Sequence, residues 1–116
     1  GSYEVKLVTA IIQPEMLEQT QKALVRHGVG GMTLSEVSGY GRQQGHIEVY
    51  RGEEYTIDFI VKVRLEILVD DPEVEEVVQV IAGAARTGSV GDGKVWVTPV
   101  ENVVRVRTGE SGLAAV

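Results

Sequence analysis

The sequence predicts an α+β fold in which strands and helices follow one another in the order βαββαβ. Apolar residues repeat with the period of a strand in some segments and with the period of a helix in others. The two kinds of segment alternate along 116 residues, and a long polar stretch divides them into two halves. This length is that of one ordinary domain. We therefore expect a single domain over 1–116, in which Gly1-Ser2 is a remnant of the expression vector.

The first half is expected to contain a strand, a helix and a second strand. Val5–Ile12 is rich in Val and Ile, which is typical of a strand that is buried on both faces. Pro14 suits the first turn of a helix because its φ angle is already fixed, and Gly28 suits the end of that helix. Residues 32–37 form the second predicted strand.

The second half repeats this pattern. Residues 60–69 alternate between apolar and polar side chains, which predicts a strand with Lys62 and Glu66 on one face. Asp71-Pro72-Glu73 offers an N-cap acceptor, a proline and an acid, so it predicts a helix start. The helix is expected to end at 87–88, and shorter strands are expected at 95–97 and 103–107. This order is that of the split βαβ, or ferredoxin-like, fold.

Both faces of the first predicted strand are apolar, although two helices can cover only one face of such a sheet. An exposed apolar sheet face is unfavourable in water, so we expect a second copy or another partner to cover it. The residue pattern indicates an oligomer and leaves the number of subunits open. One face carries Val5, Leu7 and Ile11, and the other carries Val8, Ala10 and Ile12.

Charge and composition exclude several classes of protein. The formal net charge of −6 makes direct binding to nucleic acid or to an anionic membrane unfavourable. Cysteine is absent, which excludes disulfides and thiolate metal sites and fits a reducing cytoplasm. The sequence contains no apolar run of roughly 18 residues, so we expect no membrane-spanning helix.

The segment 87–94 nearly matches the Walker A motif through Gly88, Gly93 and Lys94. Val95 stands where that motif has a Mg²⁺-binding Ser or Thr, and the segment leads from a helix into a strand. A P-loop NTPase leads from a strand into a helix, so this class is disfavoured. Glycine amides and a lysine still suit a bound anion, although a simple tight turn would explain the same residues.

Two arginines near the C-terminus suggest phosphate binding. Arg105 and Arg107 lie two residues apart, so a strand would place both side chains on one face. Guanidinium groups suit phosphate oxygens, and the alternative is an exposed polar face of an edge strand. With Lys62 and Lys94 they indicate a local anion site in an otherwise acidic protein.

The polar stretch 39–55 is rich in Gly and Tyr and is expected to be a long functional loop. In this order and spacing, the stretch 39–55, the Gly-rich segment 87–94 and the segment 105–110 resemble the PII family of signal-transduction proteins. The resemblance extends over 6–110. It implies a homotrimer, a T-loop at 41–59 and a C-terminal tail at 108–116.

The resemblance implies an ATP/ADP site in the cleft between neighbouring subunits. One subunit would contribute Gly39, Gly41, Arg42, Gln43, Lys62, Gly91, Asp92, Gly93 and Lys94. Its neighbour would contribute Gly31, Met32, Thr33, Glu66, Arg105 and Arg107.

The resemblance also implies that 2-oxoglutarate binds beside the nucleotide. Mg²⁺ would be held by the Gln43 side-chain oxygen and the triphosphate, which is an oxygen-rich shell suited to that ion. Gln44 stands where most family members have lysine, so contacts of that charge are not expected here. The residues implied in 2-oxoglutarate binding are Gln43, Gln44, Gly45, Lys62 and Gly91.

The implied T-loop is the output element. Tyr55 matches a tyrosine that many bacteria uridylylate or adenylylate, and Tyr50 and Arg51 would contact partners. An ammonium transporter, a nucleotidylyltransferase or a biosynthetic enzyme is the implied partner. His46 is read as a polar loop residue, with metal ligation as the alternative.

The expected function is therefore a cytoplasmic, non-enzymatic regulator that senses ATP, ADP and 2-oxoglutarate and controls nitrogen metabolism. A transporter partner could recruit it to the membrane. The chain offers no recognisable nucleophile–base pair, so any ATP hydrolysis would be slow. A slow ATPase is one alternative. A regulator of carbon or carboxylation metabolism with other effectors is the other.

Overall fold

The computed structural model describes residues 4–39, 46–50, 53–57 and 59–116, with the backbone alone described for 46–50 and 53–57. A 3₁₀ turn precedes each of the two long helices, and a third 3₁₀ turn lies at the C-terminus. In chain order, the strands and helices are β1 (Val5–Ile12), α1 (Leu17–His27), β2 (Thr33–Gly39), β3 (His46–Tyr50), β4 (Glu53–Ile57), β5 (Ile60–Asp70), α2 (Val74–Ala85) and β6 (Gly93–Val100). The 3₁₀ turns are Pro14–Met16, Asp71–Glu73 and Gly112–Ala115.

Four strands form an antiparallel sheet in the order β2-β5-β1-β6. Val8 of β1 lies between Ile67 of β5 and Val97 of β6. Together with α1 and α2, these strands confirm the predicted βαββαβ fold. Strands β3 and β4 form a separate two-stranded sheet between β2 and β5 in the chain.

The core lies between one face of the main sheet and the two helices. Ala10 and Leu65 are opposite each other on β1 and β5, and both are fully buried. Leu24 of α1 and Ile81 of α2 are also fully buried and belong to the same cluster. Because strand side chains alternate between faces, this cluster fixes which side of every strand faces the helices.

The opposite side of the sheet, here called the open face, is partly apolar. The strand register places Leu7 beside Leu68 and Thr9 beside Trp96 on this side. Leu68 is 38% exposed and Trp96 is 41% exposed. Both helices pack on the other face. The apolar residues of β1 on the open face are therefore not covered by either helix, as the sequence predicted. Their covering by a partner remains a prediction.

The stretch predicted as a long functional loop contains the β3–β4 hairpin, which the sequence pattern did not predict. His46 pairs with Ile57, and Tyr50 pairs with Glu53. Ile47 and Val49 alternate with polar residues, and this weak period of two is the signal that could have predicted a strand. Residues 40–45, 51 and 52 of this stretch lie outside those described.

The predicted fifth strand at 103–107 is wrong. Val104 makes an isolated bridge to Ser111, and residues 106–108 form a turn. Val104 and Val106 suggested a strand because they alternate with arginines, but Val106 is 98% exposed. The segment folds back on itself, since Gly109 N–H donates to the Arg105 carbonyl at 2.8 Å.

Smaller differences concern the ends of the elements. Helix α2 ends at Ala85, two residues before the predicted end. Asp71 does not cap this helix, because it lies inside the 3₁₀ turn and its carboxylate contacts Lys6 at 3.1 Å. Strand β6 extends to Val100 through Pro99, which an edge strand tolerates. Among the described helices, none is long and apolar enough to cross a membrane.

Candidate functional site

The Gly-rich turn, residues 87–94, connects α2 to β6. Gly88, Gly91 and Gly93 have φ angles of 89°, 99° and 102°, which are in the left-handed region that glycine tolerates. At Gly93 the requirement is also steric. A Cβ there would lie 1.7 Å from the backbone oxygen of Ile11 on β1. Only glycine lets β6 approach β1 so closely at this point.

Asp92 holds the Gly-rich turn together from inside. Its carboxylate accepts hydrogen bonds from the Thr87 hydroxyl, from Thr87 N–H at 2.7 Å and from Gly88 N–H at 2.9 Å. Gln13 adds a longer one at 3.4 Å. These hydrogen bonds, above all that from the Thr87 hydroxyl, lower the pKa of Asp92 from 3.8 to about 2. The carboxylate is therefore charged at neutral pH and organises the turn backbone.

Lys62 is the basic side chain that the fold buries beside this turn. It lies on β5 and is 8% exposed, and its ammonium donates to the Gly91 carbonyl. Glu66 follows four residues later on the same face of β5, as predicted. An ammonium has three donors, so Lys62 can bind an anion while it keeps its contact with Gly91.

Lys94 lies at the start of β6 on the open face and is exposed. Ile11 separates it from Arg64 in the strand register, so the two basic residues are on one face, roughly 10 Å apart across two strand spacings. No role for Arg64 is predicted from the sequence. Strand order was the missing information, because it brings residues 64 and 94 into one row.

A second group of predicted residues lines a cavity of about 950 Å³ at the other end of the sheet. Gly31, Met32, Thr33 and Glu66 all line it, and Thr33 pairs directly with Glu66 across β2 and β5. The cavity forms because β2 begins opposite Glu66 and leaves the last part of β5 without a neighbour on that side. Ala115 and Val116 close it from the C-terminus.

Arg105 belongs to this second group through Val116. Its guanidinium contacts the Glu110 carboxylate at 3.4 Å and the Val116 backbone oxygen at 3.5 Å. Arg107 is exposed and lies in the turn 106–108. The prediction that both arginines share one face of a strand is wrong, because the segment turns at this point.

The predicted site residues thus separate into two groups within one chain. Lys62, the Gly-rich turn and Lys94 lie where β6 begins, whereas the cavity residues and Arg105 lie beyond the middle of the sheet and past the end of β6. Lys94 and Val100 are six residue steps apart along β6, a distance of about 20 Å. Gly39 ends β2 next to Ile60, on the side of the first group.

For the residues predicted in the T-loop, either the backbone alone is described or the residue lies outside the described ranges. Tyr50, Tyr55 and His46 are in the β3–β4 hairpin, where the backbone alone is described. The others lie outside the described residues: Gly41, Arg42, Gln43, Gln44, Gly45 and Arg51.

Comparison with known proteins gives consistent matches over almost the whole chain. Residues 5–110 match the family model described as Nitrogen regulatory protein P-II. The Nitrogen regulatory protein P-II of Nostoc punctiforme is 54% identical over 111 residues, which are 96% of this chain and 99% of that protein. Nitrogen regulatory protein GlnK of Escherichia coli is 46% identical over 110 residues, 95% of this chain and 98% of that protein.

A solved structure agrees with these relatives. The crystal structure of Arabidopsis thaliana PII bound to citrate aligns with a TM-score of 0.81 at 38% identity. The alignment covers 98% of this chain and 94% of that chain. The family description and the names of the two bacterial relatives and of this solved structure all refer to nitrogen regulatory proteins or to PII. The chain therefore belongs to the nitrogen regulatory protein P-II family.

Proposed function

We propose that this signal-transduction regulator senses ATP, ADP and 2-oxoglutarate as a homotrimer and controls partners in nitrogen metabolism through its T-loop. The division of the predicted ligand residues into two groups in one chain is the observation that carries this proposal. A nucleotide that contacts both groups can do so where two copies meet, with one copy contributing the Gly-rich turn and the next contributing the cavity.

The two groups have complementary chemistry. Glu66 and the Thr33 hydroxyl at the cavity suit an uncharged, hydrogen-bonding nucleoside, and Met32 offers an apolar contact. At the Gly-rich turn, Lys62 and Lys94 suit phosphate oxygens. Arg105 would reach the phosphates from the cavity side. In this arrangement the phosphates of the nucleotide lie beside the basic side chains and away from the Glu66 carboxylate.

Lys62 also suits the second effector. Its side chain is largely buried and already held in place by Gly91, so a carboxylate of 2-oxoglutarate can gain a charge-assisted contact without ordering a mobile lysine. The similar Arabidopsis PII was solved with citrate, a carboxylate, and this supports an anionic effector in the fold. Titration of 2-oxoglutarate with and without Mg·ATP tests this step, because equal affinities would contradict linkage through Gln43.

The open face supports assembly of the trimer. Leu7, Leu68 and Trp96 form an apolar patch there that water would otherwise cover. Contact between open faces would bring neighbouring copies to the edges where the two groups lie. We further propose that the protein acts in the cytoplasm, that any ATP hydrolysis is slow, and that its T-loop contacts a transporter or an enzyme.

Mixed trimers test the composite site. Lys94→Ala and Arg105→Ala should each weaken ATP roughly ten- to a hundredfold, as expected for loss of a contact worth about 1.5–3 kcal/mol. The two variants damage different halves of the site. When they are unfolded together and refolded as mixed trimers, about one site in four should regain both intact halves and bind ATP as the parent does.

Calorimetry on the mixed trimers measures the number of sites with parental affinity. Arg86→Ala is the matched control, since Arg86 is an exposed basic residue just before the Gly-rich turn and should leave ATP binding unchanged. If mixing restores no site with parental affinity, Lys94 and Arg105 do not act from different copies and the composite site is refuted.

A further inference from the structure

We propose that His27, Glu73 and Glu76 form a binding site for a divalent transition metal, with Zn²⁺ as its best representative. His27 is the last residue of α1, Glu73 ends the 3₁₀ turn that leads into α2, and Glu76 lies in the first turn of α2. The ligand atoms of the three side chains all lie within 4.8 Å of one another. This site is distinct from the Mg²⁺ expected on a bound nucleotide, and its residues are not among the predicted nucleotide residues, although His27 and Glu73 line the same cavity.

The distances fit a shared metal better than direct hydrogen bonds. His27 Nε2 lies 3.5 Å from Glu76 Oε2 and 3.7 Å from Glu73 Oε2. An N–H···O hydrogen bond would need about 2.7–3.2 Å. Two ligands of a tetrahedral Zn²⁺ at about 2.0–2.1 Å stand about 3.3 Å apart. A movement of a few tenths of an ångström would therefore bring both histidine–glutamate distances to the separation of two ligands in such a site.

The backbone already holds the three residues in place. Gly28 ends α1 in a left-handed conformation directly after His27. Glu73 and Glu76 are three residues apart where the 3₁₀ turn runs into α2, so both side chains lie on one side of the helical segment. The His27 side chain is 25% exposed, and those of Glu73 and Glu76 are 55% and 69% exposed. An ion from solvent can reach them, and the glutamates can adjust their rotamers.

The surroundings favour a cation. His27 and Glu73 line the cavity of about 950 Å³. Among the described residues that line it, the charged ones are Glu66, Asp70 and Glu73, and none is a lysine or arginine. A metal at this wall would neutralise part of a one-sided negative field. The alternative for the cluster is a histidine that lies beside two exposed glutamates and holds no metal.

The ligand types decide between classes of metal. A histidine nitrogen suits Zn²⁺ and similar transition metals, whereas Ca²⁺ and Mg²⁺ prefer oxygen ligands alone. One nitrogen and two carboxylates leave the fourth tetrahedral position to water. Because the metal would join the end of α1 to the start of α2, its binding should also raise the melting temperature.

Calorimetry and thermal melting with ZnCl₂ in the absence of nucleotide test the site separately from ATP binding. The parent should bind one Zn²⁺ per chain and melt at a higher temperature with Zn²⁺. His27→Gln and Glu76→Gln should each weaken Zn²⁺ by at least roughly tenfold and remove the rise in melting temperature. MgCl₂ at the same concentration should have no such effect.

Two matched controls make the result specific. His46→Gln removes the other of the two histidines in the chain, and Glu75→Gln removes an exposed acid between the two ligands of α2. Both should bind Zn²⁺ as the parent does. Absence of binding by the parent at 100-fold excess overturns the proposal. Equal binding by parent and Glu76→Gln, or loss of binding in His46→Gln, also overturns it.

Discussion

The Gly-rich turn and the C-terminal segment 103–116 both present basic residues that the sequence assigns to phosphate, but each uses its acid differently. In the turn, Asp92 accepts hydrogen bonds from the backbone and from Thr87. In the C-terminal segment, Glu110 contacts the guanidinium of Arg105 itself. Within the described residues, Lys94 makes no ion pair.

This difference bears on how each region would bind an anion. An acid that fixes the backbone prepares the site in advance and leaves the basic side chain available to the ligand. An acid that contacts the basic side chain must give up that contact when an anion binds. The turn is therefore preorganised, whereas the C-terminal segment is self-paired and has to rearrange.

The largest effect is expected from changing the glycine that shapes the turn. Gly93→Ala places a Cβ 1.7 Å from the Ile11 oxygen in a backbone with φ of 102°. The strand must move away, so the free energy of unfolding should fall by about 3 kcal/mol or more. Urea denaturation followed by the fluorescence of Trp96, the single tryptophan, measures this.

Gly88→Ala is the matched control for this prediction. Gly88 also has a positive φ, of 89°, but a Cβ there meets nothing within 4 Å. The conformational cost alone remains, about 1–2 kcal/mol. Equal losses in the two variants would show that backbone conformation, and not the close approach of β6 to β1, makes Gly93 necessary.

The acid of the turn should give a smaller effect that depends on pH. Hydrogen bonds, first from the Thr87 hydroxyl, lower the pKa of Asp92 from 3.8 to about 2. A carboxylate with a lowered pKa in the folded state stabilises the fold above its unfolded pKa. This stabilisation is lost as pH falls from about 4 towards 2, and Asp92→Asn should not show this loss.

Denaturation of parent and Asp92→Asn at several pH values between 2 and 7 isolates this contribution, because all other carboxylates are shared. The difference in stability should be largest near neutral pH and should shrink below pH 4. A difference that is independent of pH would mean that shape, and not the charge of Asp92, holds the turn.

The sequence predicted the parts of the fold whose apolar residues have a strong period. Strands β1 and β5 and helix α2 bury such residues, and burial gives each its position. Lys62 and Glu66 could be placed on one face from the period alone. The β3–β4 hairpin was missed because half of its ten residues are polar and each strand is short, so its backbone pairing left a weak pattern in the sequence.

Features that depend on distant contacts were not predictable from local pattern. The turn at 106–108 interrupts a stretch that alternates like a strand, and among the described strands none pairs with it. The cavity forms between the end of β5 and the C-terminus. Some fifty residues of sequence separate Glu66 from Val116, so local pattern does not reveal that they lie close together. Arg64 and His27 acquire their neighbours in the same way, from the order of strands and the packing of helices.

The smallest effect concerns the acid of the C-terminal segment. If ATP uses Arg105, the Glu110 carboxylate at 3.4 Å competes with phosphate for that guanidinium. Glu110→Gln removes the competing charge while it keeps the shape of the side chain. An exposed ion pair is worth about 0–1 kcal/mol, so ATP affinity should rise roughly two- to fivefold.

Glu101→Gln is the control, because it removes an exposed acid after β6, whereas the described ion pair of Arg105 is with Glu110. Calorimetry at low and high salt separates a local competition from a general change of charge. Salt screens the local competition and the general charge effect alike. The gain in ATP affinity of Glu110→Gln should therefore exceed that of Glu101→Gln at low salt, and this excess should shrink at high salt. If the two variants gain equally, Glu110 acts through net charge alone. The contrast with Asp92 would then lie in the stability of the turn and not in the availability of the basic side chains.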